Sequence, residues 1–304
     1  MAIVRMSEEA HSRAATYMKR NARVLEGALY AWEFEGGTAA QALSALAAYQ
    51  NEDGGFGHGL EPDIQCADST VITTTVALQH LSKLGMDDSS ELVQGAIRYL
   101  LAEYDRKLPD GWEIVPAAVE SAPHAPWWQY NSGHFGWGNP AIEIAGFFHE
   151  YEKLVPTAVL SRVMRDTVEY LLVKSSRSDM HELLCALRFA ERVPSDVLEE
   201  VKPAIDEMVE RCVLRDPSQW QDYGLLPLQA APRPDSIYHA RLRSSIEANL
   251  KHVLQEQGED GAWQPIWSWG MHDEAWSRAK EDWKGVLTLH NLRILHAYGV
   301  AKVN

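Results

Sequence analysis

A chain of 304 residues with 46% apolar and 23% charged side chains has a globular composition and enough apolar material for a sizeable core. Its formal net charge of −15 opposes phosphate backbones and anionic bilayers, and no basic patch or recognition motif offsets it, so neither nucleic acid nor a membrane is expected as a partner. No stretch approaches the roughly 18 apolar residues of a membrane span, no apolar leader follows the N-terminus, and three scattered cysteines, Cys66, Cys185 and Cys212, suggest reduced thiols and a cytoplasmic setting.

Apolar spacing at i, i+3 and i+4 predicts helices near residues 7–33, 39–50, 71–84, 88–105, 140–153, 156–173, 179–192, 195–213, 236–256 and 283–298. The second carries Leu43, Leu46 and Ala47 on one face; the third carries Ile72, Val76, Leu78 and Leu81. Gly85, Gly258 and Gly299 stand where C-terminal caps are expected, and Asp68 and Asp282 where N-caps are expected. No run alternates as a strand would. The expected class is all-α. Between the helices, 51–68, 109–139 and 215–234 are rich in Gly and Pro, and 258–282 is rich in Trp; loops of this length inside a compact domain are usually functional.

An internal repeat organises these elements. Gln50-Asn-Glu-Asp-Gly-Gly-Phe56 matches Gln257-Gly-Glu-Asp-Gly-Ala-Trp263. The preceding helices align, Leu43 with Leu250 and Leu46 with Val253, and so do the following ones, displaced by seven further residues: Asp68 with Asp282, Thr74 with Thr288, Leu78 with Leu292 and Gly85 with Gly299. Each unit is a helix, a Gln-x-Glu-Asp-Gly-x-aromatic turn, a long loop and a second helix. Such a hairpin cannot bury its apolar face alone, so copies must stack. About ten to twelve helices would form five or six hairpins in two concentric layers, closing as a single toroidal domain over residues 1–304. In the turn, Gln and Asp tie down free backbone groups, Gly supplies positive φ, and the aromatic ring packs on the next hairpin.

This Gln-x-x-Asp-Gly-x-aromatic turn resembles the repeat of squalene–hopene cyclases and of protein prenyltransferase β subunits, above all in residues 50–59, with residues 282–292 similar to a prenyltransferase inner helix. The resemblance implies an α/α toroid and covers two repeats, while residues 86–235 share only the helical pattern. In protein prenyltransferases, an Asp-x-Cys pair and a His hold zinc. The corresponding positions fall near Ser277, Ala279 and Thr73, which cannot ligate it, so zinc-dependent prenylation is not expected and no metal or other cofactor is assigned. In squalene–hopene cyclases, an Asp-x-Asp-Asp-Thr acid motif precedes an inner helix. Here Glu61-Pro-Asp63-Ile-Gln-Cys-Ala-Asp68-Ser-Thr70 occupies that place, with Asp68 similar to the proton donor, though the strict motif is broken.

Glu61, Asp63 and Asp68 are the candidate catalytic residues. Three carboxylates crowded in a partly dry loop repel one another, so one should keep its proton and serve as a general acid, for an alkene or for a glycosidic oxygen. The plainer reading makes Asp68 an N-cap and Glu61 and Asp63 solvated loop charges. Candidate substrate-binding residues are His58, Trp127, Trp128, Trp137, Trp267, Trp269, His272 and Trp276. Indole faces stabilise carbocations or stack on sugars; they equally plug the ends of a barrel. The polar company of His124, Tyr130, Asn131, His134, Asp273 and Glu274 keeps a sugar substrate in view. His181 and Cys185 share a helix face without the second His of a zinc protease. The expectation is a terpenoid-cyclase-like enzyme acting on an isoprenoid by acid-initiated cyclisation or isomerisation. The alternatives are a carbohydrate-active toroid and a non-catalytic small-molecule binder.

Overall fold

The computed structural model describes residues 5–104, 111–131, 135–175 and 179–301, with the backbone alone at 135 and 136. The chain is all-α. Its helices are α1 (Glu8–Arg20), α2 (Val24–Phe34), α3 (Ala39–Ala47), α4 (Val71–Lys83), α5 (Glu91–Glu103), α6 (Ala141–Glu150), α7 (Thr157–Lys174), α8 (Met180–Ala190), α9 (Ser195–Cys212), α10 (Pro227–Ala230), α11 (His239–Gln255) and α12 (Asp273–Ala297). Among the described residues the one sheet is a two-residue antiparallel pair, β1 (Trp112–Glu113) with β2 (Phe135–Gly136). Two compact units divide the chain: residues 1–45 with 213–304, and residues 46–212.

In the second unit, α4, α6 and α8 lie side by side and run parallel. Gln79 meets Glu143 and Ser82 meets Glu150 between α4 and α6. Gly138 abuts Glu182, and Glu143 meets Arg188, between α6 and α8. Partner numbers rise together, which only parallel helices allow. The returns α5, α7 and α9 pack behind them, so three helical hairpins stack in two layers. In the first unit, α12 and α2 are parallel by the same test: Gly285 lies against Ala22, Arg293 meets Glu33, and Phe34 meets His296. There α1 runs antiparallel to α12, with Met6 bonded to Val300 at one end and Tyr17 to Glu281 at the other.

The repeat holds down to single hydrogen bonds. Gln50 Nε2 donates to Gly54 O at 2.9 Å and to Leu92 O in the first turn of α5 at 3.2 Å; Gln257 Nε2 donates to Gly261 O at 2.9 Å and to Ala10 O in the first turn of α1 at 3.0 Å. Asp53 accepts from Gly55 N, as Asp260 does from Ala262 N. Phe56 N donates to Thr74 Oγ1, as Trp263 N does to Thr288 Oγ1. Gly54 and Gly261 have φ of 91° and 90°, and a Cβ at either would strike the backbone of the anchored helix, at Gly95 or Arg13.

Helix α4 is poor in helix formers, since Val-Ile-Thr-Thr-Thr-Val is β-branched throughout. Burial on nearly all sides overrides that preference, and the hydroxyls of Thr74 and Thr75 are satisfied by the carbonyls of Thr70 and Ile72.

The structure corrects several expected boundaries. The helix expected over 7–33 is two helices, broken at residues 21–23, where Asn21 caps α1 and the chain turns back on itself. The cap of α4 is Thr70, whose Oγ1 accepts from Thr73 N, and not Asp68, which stands two residues too early. Nor does Asp282 cap anything: α12 starts at Asp273 because 273–284 carries an acidic first turn and good helix formers, where the other copy has Gly59 and Pro62. Gly85 and Gly299 do follow their helices with φ of 73° and 66°, but α11 ends at Gln255 with Glu256 as its cap, and Gly258 belongs to the turn beyond. The short α10 and the β1–β2 pair carried too few residues for periodicity to register.

Gly54→Ala should cost about 3 kcal/mol, because it adds strain at positive φ to a backbone clash. Gly36→Ala, at φ 72° with nothing within 4 Å of the new Cβ, should cost about 1 kcal/mol. Urea midpoints at constant m-value would check both; equal costs would show that the contact with Gly95 is unimportant.

Candidate functional site

In the unit formed by residues 46–212, the loop after the first repeat turn is pinched at its base. Phe56 pairs with Thr70, so residues 57–69 leave the helical layers and return to them. That loop meets the segment 111–131. Ile64 pairs antiparallel with His124, Ala125 N donates to Asp63 O at 2.9 Å, and Gln65 N donates to Pro123 O at 3.1 Å. Ile64, Cys66, Ile72, Val115 and Val119 form the apolar floor of the junction, with Trp128 and Tyr130 packed on it.

The three expected carboxylates have different fates here. Asp63 is only 3% exposed, Glu61 is half-buried, and Asp68 is exposed. Asp68 accepts a hydrogen bond from the Cys66 thiol at 3.2 Å. Burial, and then that bond, raise the thiol's pKa and keep the proton on sulfur. Asp68 therefore lacks the dry surroundings expected of the acid.

His124, 6% exposed, joins Asp63 at the junction. Its Nδ1 lies 2.8 Å from Ala122 O. A carbonyl only accepts, so Nδ1 carries the hydrogen, and Nε2 faces Glu120 Oε1 at 3.8 Å. Trp128 is half-buried, and its indole N–H is buried without a protein acceptor. Trp127 is 49% exposed. His58 is exposed, with Nε2 2.8 Å from Asn51 Oδ1 and φ of 55°. Trp137 is buried edge-on to Trp112 and serves as packing; His134 and part of the loop 109–139 lie outside the described residues. His181 is exposed while Cys185, one turn on, is buried, so the two do not form a site.

The remaining candidates belong to the other unit. Trp269 is buried against Trp276, ring centroids 5.7 Å apart. Trp267 stacks edge-on to Trp283 at 5.1 Å, and its indole N–H, like that of Trp128, is buried without a protein acceptor. His272, exposed with φ of 53°, opens α12, so Trp276 and Trp283 are helical rather than loop residues. No family model, no curated protein and no solved structure matches this chain.

Sequence reasoning missed the most deeply buried carboxylate among the described residues of the second unit. Glu143, 1% exposed, sits on α6 among Ile142, Ile144 and Phe147. A charged residue inside so apolar a helix was the available signal. Gln79 Nε2 and Arg188 Nη1 donate to its Oε2 at 3.2 and 3.1 Å, and the Cys185 thiol lies 4.0 Å from the same oxygen. Burial raises the Glu143 carboxyl above the ordinary range; Arg188, Arg192 and Gln79 oppose that rise. Among the described residues, no group of three or more His, Cys, Asp or Glu side chains gathers as a metal set, and no helix is long and apolar enough to cross a membrane.

A carboxyl with a raised pKa stabilises the fold fully below the ordinary glutamate value, and that contribution is lost as pH climbs through the shifted value. Glu143→Gln, neutral at every pH, loses nothing. The melting temperature of the native chain relative to Glu143→Gln should therefore fall as pH rises above the ordinary glutamate range in scanning fluorimetry. The opposite slope would mean that Arg188, not burial, governs the group.

Proposed function

We propose that the chain is an enzyme that transfers a proton to a small, hydroxyl-bearing substrate of the carbohydrate class at the Asp63–His124 junction. Asp63 is the acid, His124 the proton-exchanging partner, and Trp128 the platform. One observation carries the choice of substrate. Trp128, one of the tryptophans expected to meet substrate, holds a buried indole N–H with no protein acceptor. A buried donor without a partner costs about 1–3 kcal/mol, and a substrate oxygen recovers it. A hydrocarbon does not.

The isoprenoid reading rests on the resemblance of the Gln-x-x-Asp-Gly-x-aromatic repeat to terpenoid cyclases, and the toroid belongs to the same reading. It takes its acid from Glu61, Asp63 or Asp68, and the exposure of Asp68, the position similar to the cyclase proton donor, weighs against that one. A purely binding role is the third reading; the burial of Asp63 at the junction with His124 favours an acid there instead.

Turnover would be sought on a panel of nitrophenyl glycosides and, in parallel, on prenyl diphosphates. With the substrate that reacts, Asp63→Asn should lower kcat at least about a hundredfold, and Asp68→Asn should leave it within about threefold. The reverse pattern, or product from the prenyl substrates alone, would overturn the assignment.

A further inference from the structure

Positions 79 and 293 are equivalent in the repeat, and each donates to a glutamate on the next parallel helix. Arg293 grips both oxygens of Glu33, Nε at 2.8 and 2.9 Å with Nη2 adding a third bond, so that carboxylate is complete. The other copy has Gln79 in place of the arginine. Gln79 reaches only Oε2 of Glu143, Arg188 from α8 reaches the same atom, and Oε1 is left buried with no protein partner. The repeat supplied a way to close this carboxylate, and this copy leaves it open.

We propose that Glu143 and Arg188 form a binding site for a neutral vicinal diol. Oε1 is the open atom of an ion pair that is already balanced, so a cation would face Arg188 and an anion would face Glu143. A neutral ligand meets neither penalty. Arg188 has one of its five N–H groups on Glu143 and a side chain 34% exposed, so the arginine end of the pair is reachable from solvent while Oε1 lies buried behind it. One hydroxyl of the diol takes an Arg188 N–H; its neighbour bonds to Oε1. A hydroxyl both donates and accepts, so it suits Oε1 whether or not the carboxyl holds a proton. Asn139 and Cys185, joined by a thiol bond of 3.4 Å, flank the pair. This site is separate from Asp63 and stands or falls without it.

Ligand-observed NMR titration of the full chain with cis-cyclohexane-1,2-diol, and with cyclohexanol as control, tests the proposal. The diol should bind at least tenfold more tightly than the mono-alcohol. Gln79→Arg, which copies the closed arrangement at Glu33, should weaken diol binding at least tenfold while keeping the native melting transition. Arg188→Lys should weaken it similarly, and Asp63→Asn should leave it unchanged. Equal binding of diol and mono-alcohol, no binding of either, full binding by Gln79→Arg, or loss of binding in Asp63→Asn would each overturn it. The second of these outcomes would mean that an ordered water alone completes Oε1.

Discussion

A single side-chain amide organises each repeat. Gln50 and Gln257 stand at the end of one helix, close their own turn, and reach a carbonyl in the first turn of a helix that comes from elsewhere in the sequence. The separation is 42 residues in one copy and 247 in the other, so the bond fixes tertiary arrangement and not only a local turn. The glycine at 54 or 261 then becomes obligatory, because the anchored helix comes close enough to leave no room for a Cβ. The aromatic at 56 or 263 is fixed as well: its amide is spent on a threonine of the following helix, which sets the register of that helix.

Once the turns have set the hairpins, helices of the same row face one another in parallel, and polar side chains must be matched across the row. Position 79 or 293 does this, as do the pairs at 82–150 and 192–150. Burying a carboxylate in such a row is tolerable only with donors close by, and removing one partner costs more than the pair contributes. Glu33 and Glu26 show the complete solution, each held by an arginine fork. Glu143 shows an incomplete one. The contrast lies within a single chain and a single architecture, so the packing rules alone do not account for it.

The helical class, most helix positions and the repeat were legible because each depends on local periodicity or on residues a few positions apart. Helix starts were misread where an acidic residue stood near the boundary: Asp68 and Asp282 look like caps in sequence, but Thr70 and His272 occupy those positions. Of the candidate site, Asp63 and Trp128 were legible as loop residues. Their meeting with His124 was not, because it depends on a backbone pairing between Ile64 and His124 that no spacing encodes. Gln79, Glu143 and Arg188 come from three helices and have no common motif at all. Tryptophan clustering was only half informative: Trp112, Trp137 and Trp269 are buried as packing, and among the described tryptophans Trp128 and Trp267 keep a buried polar atom unmatched.

The two aspartates at the same repeat position show why position is a poor guide to chemistry. Asp68 follows a loop containing Gly59 and Pro62, emerges at the surface and accepts from a neighbouring thiol. Asp282 lies inside a continuous helix, where burial raises its carboxyl above the ordinary range, Arg23 pulls it back, and Glu26 and Glu281 push it further up. Seven extra residues in one loop, and a sequence that lets them continue as helix, suffice to convert an exposed carboxylate into a partly dry one. A motif carried over from a similar repeat identifies the place in the hairpin where an acid can stand. Whether it acts as one depends on the length and helicity of the segment before it, since these decide how much water reaches the oxygen atoms.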